Sequence, residues 1–492
     1  MAQDPLLLSV TDQLKLLATR KISAVELMSL TIKRIEKLNP TLNAIIYLDA
    51  DAGMKAARIA DEKWSKNTAR SLEGLPITIK DALDVASMPS TAGSPALKDR
   101  VPEVDAVAVA RLRQAGAVII GKTNVPIFSG DFQSYNPLHG VTNNPWNTHY
   151  SAGGSSGGAA AAVATGMSSF EIGSDQGSSV RWPCATNGIH GLKTSWGLVS
   201  NWGIIPPPPE KRIERNIELV VVGPMTRHAA DLDLLLPILA GPRNIAVAAQ
   251  PLRPPRKVSP GGLRVAVWLD ETFAPVDKAV SDGVRHAAHL LAAEGAFVDE
   301  AARPSFRFEE AYEVFALLNH WIVGYGLPAK VRDKIASQGS RFALGDLSHR
   351  ALQAHGIRMT PGLYQTVNAR RLRMMRQFAA FFGRYDVILC PPAPVVSLPH
   401  DHEPNIMARS LHVNGEQLPY LNFLHWAALA AVGQLPATVA PVGFAPNGMP
   451  RGVQIIGPLL EDRTPIAVST MLEKLQNGYK APPCVDGIKK TP

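Results

Sequence analysis

Two serines and one lysine lie in sequence surroundings that suit acyl transfer. Ser179 lies in the run IGSDQGSSVRWPC, Ser155 in the glycine-rich run SAGGSSGGAAAAVATG, and Lys80 ends the apolar run LPITIK. Hydrolysis of an amide needs a nucleophile, a base for its proton and donors for the oxyanion. A lysine can be that base only when neutral, and burial lowers the pKa of an amine. The three residues therefore predict a hydrolase that activates serine without histidine.

The glycines around Ser155 suit a relay between the other two groups. Glycine adopts backbone conformations that other residues avoid, so a glycine-rich turn can bring a hydroxyl close to its neighbours. A serine placed between Ser179 and Lys80 would pass the proton from the attacking hydroxyl to the amine. We therefore predict Ser155 as the bridging residue.

Several motifs, in order along most of the chain, resemble the amidase signature family. They are PITIKD, GAVIIGKTNVP, NPLHGVTNNPWN, GGSSGGAAAAVATG, GSDQGSSVRWPC, GIHGLKTSWG, VGPMTR and PATVAPVGFAPNGMPRGVQIIG. The resemblance implies that Lys80 is the base, that Ser179 is the nucleophile, and that Ser155 bridges them after a cis peptide bond from Gly154. It also implies an acyl-enzyme intermediate and hydrolysis of C–N bonds in linear amides, with no cofactor and no metal.

The resemblance further places the oxyanion donors in the loop that carries the nucleophile. Asp175 and Arg181 match positions that brace this loop, so we expect structural support from them rather than chemistry. The family usually has glycine immediately before the nucleophile, where this chain has Ser178. A positive φ there would strain a serine. The implied donors are the backbone amides of Gln176, Gly177, Ser178 and Ser179.

The acyl side of the site is expected along the stretch after TNVPIF. By resemblance this places substrate contacts at Ser129, Gly130 and Asp131, with aromatic bulk nearby in sequence from Phe128, Phe132 and Trp182. Such a lining predicts a largely apolar pocket with few polar groups. We therefore expect neutral aryl or alkyl amides as substrates, with carbamates and simple esters also accepted. Short dicarboxylic amides are expected to be poor substrates, since no arginine clamp is evident apart from Arg181.

Other interpretations stay open at this point. GAVIIGKT at 116–123 matches a phosphate-binding loop, although AVII is typical of a strand. GGSSG at 153–157 matches the nucleophile elbow of α/β-hydrolases, which would make Ser155 the nucleophile of an esterase. Ser155 and Ser156 could also merely cap the following helix. The family includes the A subunit of a tRNA-dependent amidotransferase, which works only within a complex.

Composition limits the classes of partner. The chain has 492 residues, 46% of them hydrophobic, and its net charge of +8 comes from scattered basic residues. We expect a small-molecule substrate and no nucleic acid. Cys184, Cys390 and Cys484 lack the spacing of a zinc site or a disulfide framework. The N-terminus does not resemble a signal peptide, and prolines interrupt the longest apolar stretch. These features predict a cytoplasmic protein without a membrane span, and they leave a homodimer open.

The order of helical and strand-like segments indicates an α/β fold. Ser23 and Glu26 have the spacing of a capping box before a helix that Asn39-Pro40 should end. After Lys80, helical and strand-like segments alternate. We predict a single large domain over residues 1–492, with a mixed, largely parallel central β-sheet covered on both faces by helices. Within it, residues 1–70 would form an N-terminal helical layer, and residues 201–384, with proline-rich loops, a variable region that supplies a lid or substrate-specific part.

Overall fold

The computed structural model describes residues 4–206, 216–243 and 251–485, and the helices and strands below lie in these ranges. The α-helices are α1 Val10–Ala18, α2 Ala24–Leu42, α3 Ala50–Ser65, α4 Val107–Ala115, α5 Gly157–Ala164, α6 Arg181–Asn187, α7 Ala229–Leu239, α8 Lys278–Ala293, α9 Phe308–Gly326, α10 Ala329–Ala336, α11 His349–Ile357, α12 Pro361–Phe382, α13 Leu424–Val432 and α14 Arg463–Leu475. The strands are β1 Ile45–Leu48, β2 Pro76–Lys80, β3 Val118–Thr123, β4 Tyr135–Asn136, β5 Gly140–Val141, β6 Glu171–Asp175, β7 His190–Lys193, β8 Val221–Thr226, β9 Arg264–Val267, β10 Phe297–Asp299, β11 Val387–Cys390, β12 Ser410–Val413, β13 Glu416–Pro419, β14 Ala437–Phe444 and β15 Pro450–Ile456.

The central sheet has eight strands in the order β10-β9-β11-β15-β14-β7-β8-β6. The predicted mixed sheet in a single domain is confirmed, but the predicted excess of parallel pairs is wrong. Only β10–β9 and β9–β11 are parallel. The other five neighbouring pairs are antiparallel. Alternation of helices and strands along the chain does not determine which strands become neighbours, and β14 and β15 form a tight hairpin that parallel strands could not.

Helices cover both faces of this sheet, as predicted. Alternate residues of a strand point to opposite faces. Val265 and Val267 of β9 pack with α8 and α14, in a cluster that includes Leu291 and Leu472. Ala266 lies between them and belongs to the cluster formed by α9, α12 and α13. Each face of the sheet thus buries its own hydrophobic core.

A smaller sheet, in the order β1-β3-β2, carries the predicted base at its edge. Strands β2 and β3 are parallel, and Lys80 pairs with Thr123 at the end of the ladder. Helices α1, α2 and α3 pack with this sheet in one hydrophobic cluster. The residues of β2 are fully buried because helices and the β6 segment enclose them. The sequence LPITIK therefore ends with its lysine inside the protein.

Helix α2 begins as predicted and ends later than predicted. Ser23 and Glu26 form the complete capping box. The helix continues through Pro40 to Leu42, because proline removes only its own N–H bond and the last turn still closes with the N–H of Asn43 donating to the Asn39 carbonyl at 2.7 Å.

Parts of the predicted proline-rich connections, residues 207–215 and 244–250, lie outside the described residues. No described helix combines the length and apolar character that crossing a membrane requires.

Candidate active site

The amine of Lys80 is held by three hydroxyl groups in the interior. Its Nζ donates to the Oγ atoms of Ser155 at 2.6 Å, Ser156 at 2.9 Å and Ser174 at 2.9 Å. Burial lowers the pKa of Lys80 to about 7, against the opposing effect of the negative charges of Asp175 and Glu171. A lysine with this pKa is neutral in a large fraction of molecules near neutral pH, so it can accept a proton there.

Ser155 lies on a turn in which the preceding residue, Gly154, has no room for a side chain. The Gly154–Ser155 peptide bond is cis, as predicted. A Cβ on Gly154 would lie 2.6 Å from the backbone carbonyl oxygen of Asp131, and this contact excludes any side chain. The turn leads directly into α5. Ser156 occupies the N-cap position of α5, but its side chain makes no capping hydrogen bond. Helix capping is therefore not what its hydroxyl does, since it contacts Lys80 instead.

Ser179 lies beside this turn on the loop that follows β6. The N–H of Ser156 donates to the carbonyl oxygen of Ser179 at 3.2 Å, which joins the loop to the serine turn. The Ser179 side chain is half-buried. Its hydroxyl forms no hydrogen bond with another residue of the described chain. The structure thus holds the backbone of the predicted nucleophile against the residue that follows the predicted bridge, with no hydrogen bond between the Ser155 and Ser179 hydroxyls.

The loop from Gln176 to Ser179 exposes some backbone donors and uses one. The N–H of Ser178 donates to Oδ1 of Asp175 at 3.0 Å, so the prediction that this amide is free for an oxyanion is wrong in this structure. The amides of Gln176, Gly177 and Ser179 have no acceptor among the described residues. Three of the four predicted donors therefore remain available, since the carboxylate that fixes the loop occupies the fourth.

Ser178 has a positive φ, the backbone conformation in which a serine is expected to be strained. Its φ is 83°, in the left-handed region that favours glycine. Its hydroxyl donates to the carbonyl oxygen of Pro392 at 3.2 Å. This contact ties the loop to the segment after β11, a link that a glycine could not make.

Asp175 and Arg181 form the expected brace. Both residues are fully buried. The guanidinium Nη2 lies 2.8 Å from Oδ1, and Nε donates to Oδ2 at 3.0 Å. Burial acts to raise the pKa of Asp175, but the charge and hydrogen bonds of Arg181 outweigh it and lower that pKa to about 2. The carboxylate is therefore charged throughout the neutral range and holds the loop from inside.

The residues predicted on the acyl side differ in what they can offer a substrate. Oδ2 of Asp131 accepts from Arg409 at 2.6 Å and Oδ1 accepts from Tyr420 at 2.6 Å. Asp131 is predicted to contact substrate, but its carboxylate is already neutralised by a buried arginine. Ser129 Oγ is buried without a hydrogen-bond partner among the described residues, and Gly130 is exposed.

The aromatic residues predicted near the pocket lie in two environments. Trp182 and Phe132 are buried and pack with Phe423. Phe128 is 37% exposed. Two of the three rings therefore belong to the hydrophobic core, and Phe128 is the one that solvent reaches.

Sequence reasoning missed several groups of the site. Ser156 and Ser174 are adjacent to predicted residues, so the two motifs contained the signal. Glu171 is a carboxylate within the apolar segment FEIG, which is unusual for a buried strand. Arg409 is 278 positions from Asp131 and no local spacing links them. The same holds for Asn319, whose Oδ1 accepts from Gln176 Nε2 at 2.9 Å.

The phosphate-binding loop and the nucleophile elbow, the two competing motifs, fit this geometry poorly. Lys122 of GAVIIGKT lies within β3, and its Nζ donates to the Leu83 carbonyl and to Ser90 Oγ, both at 2.7 Å. A phosphate-binding loop needs that lysine at a loop before a helix. Ser155 of GGSSG contacts Lys80, and no described histidine hydrogen-bonds to it. The nucleophile elbow requires such a histidine.

Comparison with known proteins gives consistent results. The family model described as Amidase matches residues 26–465. The chain is 32% identical over 490 residues to the A subunit of the glutamyl-tRNA(Gln) amidotransferase of Synechococcus sp. (strain CC9605), and the match covers 95% of this chain and 96% of the relative. A solved amidase is 27% identical with a TM-score of 0.76, and the match covers 95% of this chain and 99% of the amidase. A bacterial aryl acylamidase of the amidase signature family, 23% identical with a TM-score of 0.78, is matched over 95% of this chain and 96% of its own and shares the fold.

Proposed function

This chain belongs to the amidase family, and we propose that it hydrolyses the C–N bond of neutral amides with Ser179 as nucleophile, Ser155 as proton relay and Lys80 as base. One observation carries the proposal. The completely buried Lys80 amine has a pKa of about 7 and lies 2.6 Å from the Ser155 hydroxyl. A solvated lysine with an ordinary pKa of about 10.4 could not accept a proton at neutral pH.

The proposed reaction has two acyl-transfer steps. Ser179 attacks the amide carbon while its proton passes through Ser155 to neutral Lys80. The resulting oxyanion accepts from the free amides of the loop, those of Gln176, Gly177 and Ser179. When the C–N bond breaks, the proton returns from Lys80 through Ser155 to the leaving amine. Water then attacks the ester on Ser179 while its proton passes through Ser155 to Lys80, and that proton returns to the Ser179 oxygen as the ester bond breaks and the acid leaves.

The acyl side supports a neutral substrate. Asp131, the carboxylate among the residues predicted there, is paired with Arg409, so neither charge is free for a substrate group. Ser129 offers a single hydroxyl without a partner among the described residues, and Phe128 a partly exposed ring. We therefore propose aryl or alkyl amides, and extend the proposal to carbamates and simple esters because their tetrahedral intermediates place an oxyanion on the same donors.

A second candidate function is that of an amidotransferase A subunit. It is favoured by an identity of 32% to such a protein over nearly the full length of both chains. On this alternative, the same three residues would release ammonia from glutamine only when partner subunits are present.

The purified chain alone, tested on p-nitroanilides, anilides, aryl carbamates and charged amides, separates the two functions. We expect hydrolysis of neutral members without any partner, and loss of that activity in Ser179→Ala. Glutamine hydrolysis that appears only with partner subunits and ATP would favour the amidotransferase. Strong preference for a charged amide such as malonamate would contradict the proposed substrate class.

A further inference from the structure

A buried carboxylate accepts a hydrogen bond from the backbone of Lys80. Glu171 begins β6, and its relative exposure is 0%. Its Oε2 accepts from the backbone N–H groups of Lys80 and Ile172, both at 3.1 Å. Its Oε1 accepts from Thr78 Oγ1 at 3.0 Å and Thr123 Oγ1 at 2.8 Å. One carboxylate therefore links β2, β3 and β6 where they meet at the site.

The four contacts have the pattern expected for an ionised carboxylate. An ionised carboxylate only accepts hydrogen bonds, and its two oxygens have room for about four. Here two backbone N–H groups and two hydroxyls fill those positions. No arginine or lysine side chain of the described residues hydrogen-bonds to Glu171. Neutral donors therefore stabilise its charge, and no direct ion pair does.

This distinguishes Glu171 from the other charged groups near Lys80. The charge of Asp175 is paired with that of Arg181, whose Nη2 lies 2.8 Å from Oδ1. Lys122, the other buried amine beside Glu171, lies 3.5 Å from Asp81. Among the described residues, no cation pairs directly with Glu171, and Glu171 and Asp175 are the two negative groups that act on the Lys80 amine.

We propose that Glu171 is a positioning residue for the base: it fixes the end of β2 and, together with Asp175, supplies negative charge that keeps the Lys80 amine basic. The inference rests on the proposed function of Lys80 and deepens it. Without this charge, burial would lower the affinity of the amine for a proton further, and the amine would become a weaker base. Burial raises the pKa of the Glu171 carboxyl to about 7, against the hydrogen bonds from Thr123 and Thr78, so both groups change charge in the same pH range.

Glu171→Gln tests the charge with little change in shape. The amide oxygen can accept from the two backbone N–H groups, while its NH₂ can donate to threonine hydroxyls that rotate to accept. Lysine-selective ¹³C labelling, with the Lys80 signal assigned by its loss in Lys80→Ala, reports the protonation midpoint of the amine directly. We expect Glu171→Gln to move this midpoint to lower pH by roughly one unit. The acid limb of the pH–rate profile should move with it.

Glu73→Gln is the matched control. Glu73 is also buried, but it pairs with Arg70 at 2.5 Å and is not among the charges that act on Lys80. The same chemical change there should leave the Lys80 midpoint in place. An unchanged midpoint in a folded Glu171→Gln variant, or an equal shift in the control, would overturn the proposal.

A second variant keeps the test decisive if Glu171→Gln does not fold. Thr123→Val removes one donor from Oε1 and keeps the carboxylate, so Glu171 should protonate more easily and the Lys80 midpoint should fall by less than in Glu171→Gln. A midpoint equal to that of the parent would then refute the proposed role. Because the titration observes the amine and not turnover, failure of the proposed function appears separately, as a parent chain that leaves every amide intact.

Discussion

The lysine pocket, which holds Lys80 and Glu171, and the nucleophile loop, residues 176–179, differ in how far their polar groups are hydrogen-bonded within the protein. In the pocket, the Lys80 amine has three hydroxyl partners and the Glu171 carboxylate has four donors, all of them buried. On the loop, three backbone amides lack an acceptor among the described residues, and the side chain of Ser179 is half-buried. The amine and the carboxylate thus find their partners within the protein, whereas three amides of the loop find none among the described residues.

This difference separates two physical tasks. A base buried in a finished hydrogen-bond network has a pKa set in advance by burial and neighbouring charge. Backbone amides that a fixed loop holds without a protein acceptor can donate to an oxyanion with little rearrangement. Substitutions in the lysine pocket and in the loop should therefore have different effects on activity and stability.

Removal of the amine should have the largest effect. Lys80→Ala should lower kcat/KM at neutral pH by about 10³-fold, within the range that general-base catalysis contributes. The reason is that Ser155 would have no group to which it could pass the proton. Steady-state kinetics on a neutral anilide measures the loss, and thermal unfolding checks that the variant is folded. Turnover equal to that of the parent would sink the proposed mechanism.

Breaking the brace of the loop should mainly affect stability. Asp175→Asn leaves the buried Arg181 without its carboxylate, and removal of one partner of a buried ion pair costs about 3–5 kcal/mol. Urea unfolding at neutral pH measures the free energy of unfolding. The matched control is Asp233→Asn, which breaks the partly exposed pair with Arg463 and should cost no more than about 1 kcal/mol. Similar losses in both variants would show that the loop is not braced from inside.

The same carboxylate makes this loss of stability depend on pH. Asp175 has its pKa lowered on folding to about 2, so its contribution to stability is present above the unfolded value of about 3.9 and is lost as pH falls through about 2. Stability between pH 5 and 2 should therefore fall less steeply with acid in Asp175→Asn than in the parent. Parallel curves for the two proteins would contradict the lowered pKa.

The pH–rate profile should report the lysine pocket. Because only the neutral amine accepts the serine proton, kcat/KM should rise with pH through about 7, the pKa of Lys80. Below that value the slope should approach tenfold per pH unit, as for loss of a single proton. A rate that does not change between pH 5 and 8 would mean that no group with this pKa acts as the base.

Ser178 should give the smallest effect and isolate the backbone of the loop. Ser178→Ala and Ser178→Gly both lose the hydrogen bond to Pro392, but only alanine retains a Cβ at a φ of 83°. The glycine variant should be more stable than the alanine variant by about 1 kcal/mol. Chemical denaturation of the pair measures the difference. Greater stability of the alanine variant would show that the positive φ is not what the loop adopts.

The sequence predicted the parts of the site that lie within single motifs. The roles of Lys80, Ser155 and Ser179, the Asp175–Arg181 pair and the strain expected at Ser178 all came from motifs that resemble the amidase signature family. The contact of Ser156 with Lys80 was missed because a serine directly before a helix is equally typical of a helix cap. Local sequence cannot distinguish the two roles, since the deciding partner comes from another strand.

Long-range features had no local signal at all. Arg409 neutralises Asp131 across 278 positions, and the expectation of a substrate-binding carboxylate could not foresee it. The direction of strand pairing likewise depends on which strands become neighbours, so an alternating helix–strand pattern overestimated the parallel pairs. The α/β class and the single domain were predicted from the order of the segments, but periodicity could not place β6 beside β8.

Labelling of the nucleophile tests the central claim most directly. A fluorophosphonate forms a stable bond with an activated serine, and the proposed chemistry predicts one adduct, on Ser179. Peptide mass mapping after reaction should find that adduct in the parent and in Glu73→Gln, and find it strongly reduced in Lys80→Ala because the serine is no longer deprotonated. An adduct on Ser155 in place of Ser179 would contradict the account and make Ser155 the nucleophile.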